Sequence, residues 1–147
     1  FYQYSNQSET LKNNPDTVVA YTPTCNDLTY TNTDGQQVSG YVVSDVTKYS
    51  EANKYLCFIC GDQPSERIDN PNITDGSSCV VIKESYGNAF VPFLVNSYQT
   101  VHVVDYRYFS GNLVDLVKDN NIQDVIYVNN ANALIESAVK NMSRIIS

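Results

Sequence analysis

The apolar and polar positions of this chain follow two patterns. Residues 1–78 read as irregular β structure. "DTVVAYTP" predicts a short strand stopped by Pro23, and "LTYTNTDGQQVSGYVV" alternates around Asp34-Gly35, a hairpin signal. "KYLCFICGD" predicts a further apolar strand closed by Gly61-Asp62-Gln63-Pro64, whereas "ERIDNPNITDGSS" reads as turn chemistry throughout. From Cys79 onward apolar strands alternate with helical spacing. "CVVIKES" is a strand, and "NAFVPFLVNSY" places Phe90, Phe93, Leu94 and Tyr98 on one helical face. Pro92 fits only a first turn, so that helix should begin near Asn88 or Ala89. "TVHVVDYRYF" and "DVIYVNN" are the next strands. "NLVDLVKDNN" lies between them as a helix, and "ANALIESAVKNMSRII" closes the chain as another, with Leu134, Ile135, Ala138, Met142 and Ile145 in register.

This β-α-β-α-β-α order over residues 79–147 predicts an α/β fold with strands near 79–83, 100–106 and 124–128, parallel and adjacent, beside a β-rich N-terminal segment. The 147 residues suffice for a single domain. Sites in such sheets form at the carboxyl ends of the strands. Three places qualify: Glu84-Ser85, Asp105 to Tyr108, and Asn129-Asn130.

Ser85 stands at a strand end before a helix. It is either an N-cap or a nucleophile whose backbone N–H faces a developing oxyanion, with Gly87 permitting a tight turn or a close substrate approach. A nucleophilic serine also needs a base. The single histidine, His102, falls at the amino end of its strand, roughly 15 Å from the serine's end of the sheet for a five-residue strand. It reads as a structural residue. Arg107 either binds a carboxylate through its fork of donors or pairs with Asp105, Glu84 or Asp62. Asn129 or Asn130 serves either as an oxyanion donor or as a turn residue. Tyr86, Tyr106 and Tyr108 either line a sugar site or support β structure.

Composition narrows the partners. A net charge of −7 argues against nucleic acid and against an anionic membrane surface, and no apolar run is long enough to span a bilayer. Cys57 and Cys60 form a C-x-x-C, but Cys25 and Cys79 are isolated, so buried structural thiols are expected and no metal. No Gly-rich phosphate loop is present, and no cofactor is expected. Asn6, Asn72 and Asn141 lie in N-x-S/T sequons, short enough to arise by chance. The opening Phe1-Tyr2-Gln3-Tyr4 is an aromatic cluster more typical of mid-domain sequence, which predicts a piece of a longer protein.

The run "VVIKESYGNAFVPFLVNSYQTVHVVDYRYFSGNLVDLVKDNNIQDVIYVNN" resembles the C-terminal part of the DHHW family, bacterial cell-envelope proteins related to the alginate O-acetyltransferases. "FYQYSNQSETLKNNPDTVVAY" resembles the segment that follows the family's Asp-His-His-Trp motif. The resemblance implies a three-layer fold like that of the SGNH hydrolases, with Ser85 matching the family serine and Asp105, Arg107 and Tyr108 matching a second block. It also implies that the acid and base lie upstream of Phe1. Two departures stand out: Glu84 replaces the usual Asp, and no D-H-H-W occurs. The expectation is a fragment of a serine esterase or O-acyltransferase of cell-envelope glycans, extracellular or in the bacterial envelope, inactive without the rest of the protein. Ser85 would be its nucleophile and Asn129 an oxyanion donor, with Glu84, Tyr86, Gly87, Asn88, Asp105, Arg107 and Tyr108 around the substrate. The alternative is a non-catalytic carbohydrate-binding or scaffold module.

Overall fold

The computed structural model describes residues 8–131 and 135–147. Among these residues six strands form one sheet: β1 (Asp27–Thr31), β2 (Gln37–Tyr41), β3 (Ser65–Asp69), β4 (Ser78–Lys83), β5 (Thr100–Asp105) and β6 (Asp124–Val128), in the order β2-β1-β3-β5-β4-β6. The helices are α1 (Glu9–Asn13), α2 (Val91–Leu94), α3 (Leu113–Asp119) and α4 (Glu136–Ile146), with short 3-10 helices at Glu51–Cys57 and Ser85–Gly87.

The three expected parallel strands are parallel and adjacent, with β4 between β5 and β6. The sheet as a whole is mixed. β3 adds antiparallel to β5, and the β1-β2 hairpin continues antiparallel from β3. The β-rich half therefore extends the same sheet and does not merely pack beside it.

Strand β4 is buried along its whole length. Its side chains alternate between two cores, as a pleated strand requires. Cys79 and Val81 join Leu28, Val42, Ile59, Ile68, Val91, Val95, Val101 and Val103 on one face. Val80 and Ile82 join Val104, Tyr106, Leu113, Ile122 and Ile145 on the other. Fully burying each such aliphatic side chain stabilises the fold by about 1.5–3 kcal/mol. Asn112 caps α3, its Oδ1 accepting from Val114 N–H at 2.8 Å and Asp115 N–H at 3.1 Å. Arg144 of α4 donates to the Phe109 carbonyl at 2.8 Å and the Tyr106 carbonyl at 3.0 Å, tying the last helix to the loop after β5.

Several local expectations are corrected. "DTVVAYTP" is not a strand. "KYLCFICGD" begins in a 3-10 helix that ends at Cys57 and continues as a turn, and its strand-like pairing is limited to an isolated bridge from Phe58 to Val43. Ile59, Cys60 and Gly61 then run through left-handed φ values of 44°, 58° and 82°, which reverse the chain and deliver Asp62 to the end of the sheet. The stretch expected to be all turn holds β3, because Glu66 and Ile68 alternate inward from it. The helix expected from Asn88 is the 3-10 turn at Ser85–Gly87 followed by the four-residue α2. Pro92 does sit in the first turn of α2. The expected helical position Leu134 and the sequon at Asn6 lie outside the described residues.

Candidate active site at the carboxyl end of the central strand

β4 ends at Lys83, and the chain turns at once through Glu84 into the Ser85–Gly87 turn. The turn's N-cap is Glu84, not Ser85: its carboxylate accepts from the Tyr86 N–H at 3.3 Å. The same carboxylate accepts from the Asn130 N–H at 3.2 Å, which links the ends of β4 and β6, and from the Ser85 hydroxyl at 3.2 Å. Ser85 is thus the first residue of the turn, and its hydroxyl is bonded to its neighbour. Gly87 is required by a close approach: a Cβ there would lie 2.5 Å from the Cβ of Lys83.

Beneath the turn lies an ionic cluster in which Lys83 and Asp105 are buried and Arg107 and Asp62 are partly exposed. Lys83 is fully buried, with Nζ 3.3 Å from Asp105 Oδ2 and 3.8 Å from Asp62 Oδ1. Arg107 grips Asp105 through two bonds, Nε to Oδ1 at 2.8 Å and Nη2 to Oδ2 at 2.6 Å, and reaches Asp62 at 2.9 Å. Asn88 Nδ2 donates to Asp62 at 2.9 Å, so the cluster holds the far end of the serine turn. Burial acts to raise the pKa of Asp62, but the Asn88 hydrogen bond and the nearby Lys83 and Arg107 outweigh it and hold the carboxyl below its ordinary value. Bonding to Asp105 raises the Arg107 pKa further. Of the alternatives for Arg107, pairing with Asp105 and Asp62 is the one realised, and its guanidinium also lies 5.1 Å from the Tyr108 ring centre.

Tyr55, which the sequence did not single out, closes the turn from the other side. Its hydroxyl donates to the Ser85 carbonyl at 3.1 Å and accepts from the Ala89 N–H at 3.4 Å. Tyr55, Ser85 and Tyr86 line a pocket of about 270 Å³. A wider groove of about 850 Å³ lies elsewhere, among Asn26, Val43, Asp45, Lys54 and Cys57, and includes none of the turn residues. Sequence periodicity gives no signal for Tyr55, because it enters the site from a 3-10 helix 30 residues upstream.

The other expected site residues are distributed as follows. Tyr86 and Tyr108 are exposed, whereas Asn88 and Asp105 are buried. Tyr106 is 2% exposed and packs in the core with Val80 and Ile82. Asn129 directs Nδ2 to the Ile82 carbonyl at 3.3 Å, and its buried Oδ1 has no hydrogen-bond partner among the described residues. His102 pairs in register with Val80 of β4 and Arg67 of β3. That level lies five residues before Ser85, roughly 16 Å along the strand direction. Burial lowers the His102 pKa, with Arg67 acting the same way. All four cysteines are free thiols. Among the described residues no group of three or more His, Cys, Asp or Glu is placed to hold a metal, and no helix is long and apolar enough to cross a membrane.

A six-stranded mixed sheet with a serine turn after its central parallel strand defines the class, a mixed α/β protein with its candidate site at the sheet's carboxyl edge. The DHHW protein family matches residues 1–104, and the chain belongs to that family. A DHHW family protein from Eubacterium siraeum is similar over 99% of this chain and 49% of its own, with a TM-score of 0.83 and 30% identity. Bacillus cereus PatB1 is similar over 78% of this chain and 39% of its own, with a TM-score of 0.65 and 25% identity. A PatB1 structure with a sulfonyl adduct shares the fold, with a TM-score of 0.65 and 24% identity over 78% of this chain and 42% of that one. The chain therefore spans about half the length of the first of these proteins, and less of PatB1. No curated protein matches.

Proposed function

We propose that this chain is the serine-bearing part of an SGNH-hydrolase-like esterase or O-acyltransferase that acts on cell-envelope glycans. Ser85 is its nucleophile, within the three-layer arrangement typical of that class. The observation that carries the reading is the placement of Ser85 on a tight turn at the carboxyl end of the central parallel strand, beside an open pocket walled by Tyr55 and Tyr86. Membership of the DHHW family supports it, as does similarity to PatB1, one of whose structures carries a sulfonyl adduct. Sulfonylation is a reaction of activated nucleophiles.

The base and its acid come from the remainder of the protein, because His102 lies too far along β5 to serve. Strand β6 is the edge of the sheet, with Val125 and Tyr127 exposed, and offers that remainder a surface to join. In the first half-reaction Ser85 Oγ bonds to the acyl carbon and the ester C–O bond breaks. The serine proton passes through the base to the departing alkoxide. In the second, water or a glycan hydroxyl takes the acyl group and returns a proton to Ser85. The Nδ2 proton of Asn129 that is not given to the Ile82 carbonyl and the Ser85 backbone N–H stabilise the oxyanion, while Tyr86 and Tyr108 flank the sugar. The protein works at the bacterial cell envelope or outside the cell, without nucleic acid, a bilayer or a cofactor.

The bond between Ser85 and Glu84 favours a second reading, a glycan-binding or scaffold module that keeps the fold without the chemistry. One assay separates the two. The full-length protein should hydrolyse an acetyl-ester probe, and Ser85→Ala should lower that rate by about three powers of ten or more. This chain alone should be nearly inert. Full-length activity that survives Ser85→Ala would remove Ser85 as the nucleophile, and robust hydrolysis by this chain alone would remove the need for an outside base.

A further inference from the structure

We propose that Glu84 is a positioning residue that latches the Ser85 hydroxyl in the resting protein and so restrains it as a nucleophile. The inference rests on the assignment of Ser85 above. A carboxylate only accepts hydrogen bonds, so the contact of 3.2 Å between Ser85 Oγ and Glu84 Oε2 commits the serine proton to Glu84. An external base must take that same proton before Oγ can attack. The two acceptors therefore compete for one O–H.

Glu84 is well held in this role. It is 6% exposed, and its two oxygens are fixed by the backbone N–H groups of Tyr86 and Asn130. Those two bonds fix the carboxylate where it accepts from the Ser85 hydroxyl. Side-chain length matters. Oε2 accepts from both the Tyr86 N–H and the Ser85 hydroxyl, and Oε1 from the Asn130 N–H. Asp is one methylene shorter, so its carboxylate draws back from the position that serves all three, and the bond to the Ser85 hydroxyl weakens with it.

The test is the rate at which an aryl sulfonyl fluoride modifies Ser85 in the full-length protein. In that reaction the Oγ–S bond forms, fluoride departs and the serine proton goes to the base. Intact mass and peptide mapping locate the label, with Ser85→Ala as the unlabelled control. Glu84→Asp should raise the second-order rate by about tenfold, the factor expected for losing a hydrogen bond to a charged group. Glu84→Gln, which keeps the side-chain length but weakens the acceptor, should raise it by a smaller factor. It also carries the test if the Asp variant folds poorly, as judged by thermal melting. A residue needed only for folding would slow labelling when altered, not speed it. Equal or slower labelling of Ser85 in both variants overturns the latch and leaves the nucleophile standing. Absence of label at Ser85 in every variant overturns both.

Discussion

Replacing Glu66 by Gln should abolish a pH dependence of stability that the native protein otherwise shows between about pH 4.5 and 8. Glu66 projects from β3, opposite Tyr30 of β1 and Val103 of β5. It is 3% exposed, and neither carboxyl oxygen has a hydrogen-bond partner among the described residues. Burial pushes its pKa from 4.5 up to about 8, with Lys83 opposing and Asp105 and Asp62 reinforcing the rise. A folded-state pKa above the unfolded value means that the native state holds a proton which the unfolded chain has released. For an acid, that contribution is fully present below the unfolded pKa and is lost as pH rises through the folded one. At about 1.4 kcal/mol per pKa unit the full loss is roughly 5 kcal/mol. Water penetration on ionisation reduces it, so about 2–4 kcal/mol is expected in practice. His102, whose pKa is lowered from 6.5, acts in the opposite sense below that value, because its native form resists protonation. Urea denaturation of both proteins from about pH 5 to 8.5 removes that background, since His102 is common to them. The variant and the native protein should agree within about 1 kcal/mol at the acid end. At the alkaline end the variant should be the more stable by about 2–4 kcal/mol. Parallel stability curves would refute the reasoning and show that Glu66 ionises in the fold as an ordinary carboxylate.

Lys83→Met should destabilise the protein by about 3 kcal/mol, because it leaves the buried Asp105 only Arg107, which it shares with Asp62. A loss below about 1 kcal/mol in chemical denaturation would show that Arg107 suffices. Gly87→Ala forces a Cβ to within 2.5 Å of the Lys83 Cβ, and overpacking of this kind costs about 1–3 kcal/mol. Thermal melting should show that loss together with slower labelling of Ser85. Cys79 is wholly buried, with its thiol pushed up to about 12, so iodoacetamide at about pH 8 should modify Cys25 well before Cys79, as peptide mapping would read.

Where a segment's structure follows from its own side chains, the sequence was enough. The runs at Cys79, Thr100 and Asp124 carry apolar stretches too short for helices and separated by helical spacing, and parallel pairing follows from that order. The Asp34-Gly35 hairpin likewise needs only its turn residues, with Gly35 at φ 77°. The position of Ser85 at a strand end, and the distance of His102 from it, were legible for the same reason. Failures came where tertiary contacts override local preference. "KYLCFIC" has the apolar density of a strand, yet it coils because Cys57, Phe58 and Ile59 are buried in the core while Tyr55 turns toward Ser85. β3 was hidden by its polar residues, since Glu66 is buried, and Arg67 and Asp69 pair with each other at 2.8 Å on the strand's exposed side.

The sequence by itself determined the succession of parallel strands, the family and the serine at the strand end, because periodicity, turn residues and a contiguous motif are properties of neighbours in the chain. Only the tertiary structure decided that the two halves share one sheet, that Lys83, Asp105, Arg107 and Asp62 form one ionic cluster, and that Glu84 caps the turn while binding the Ser85 hydroxyl. The shared sheet and the cluster depend on residues distant in the chain, such as Lys83 and Asp105, meeting across strand ends, and on desolvation that makes each such meeting strong. Neither the register that brings them together nor the burial that sets their strength is written in any one segment.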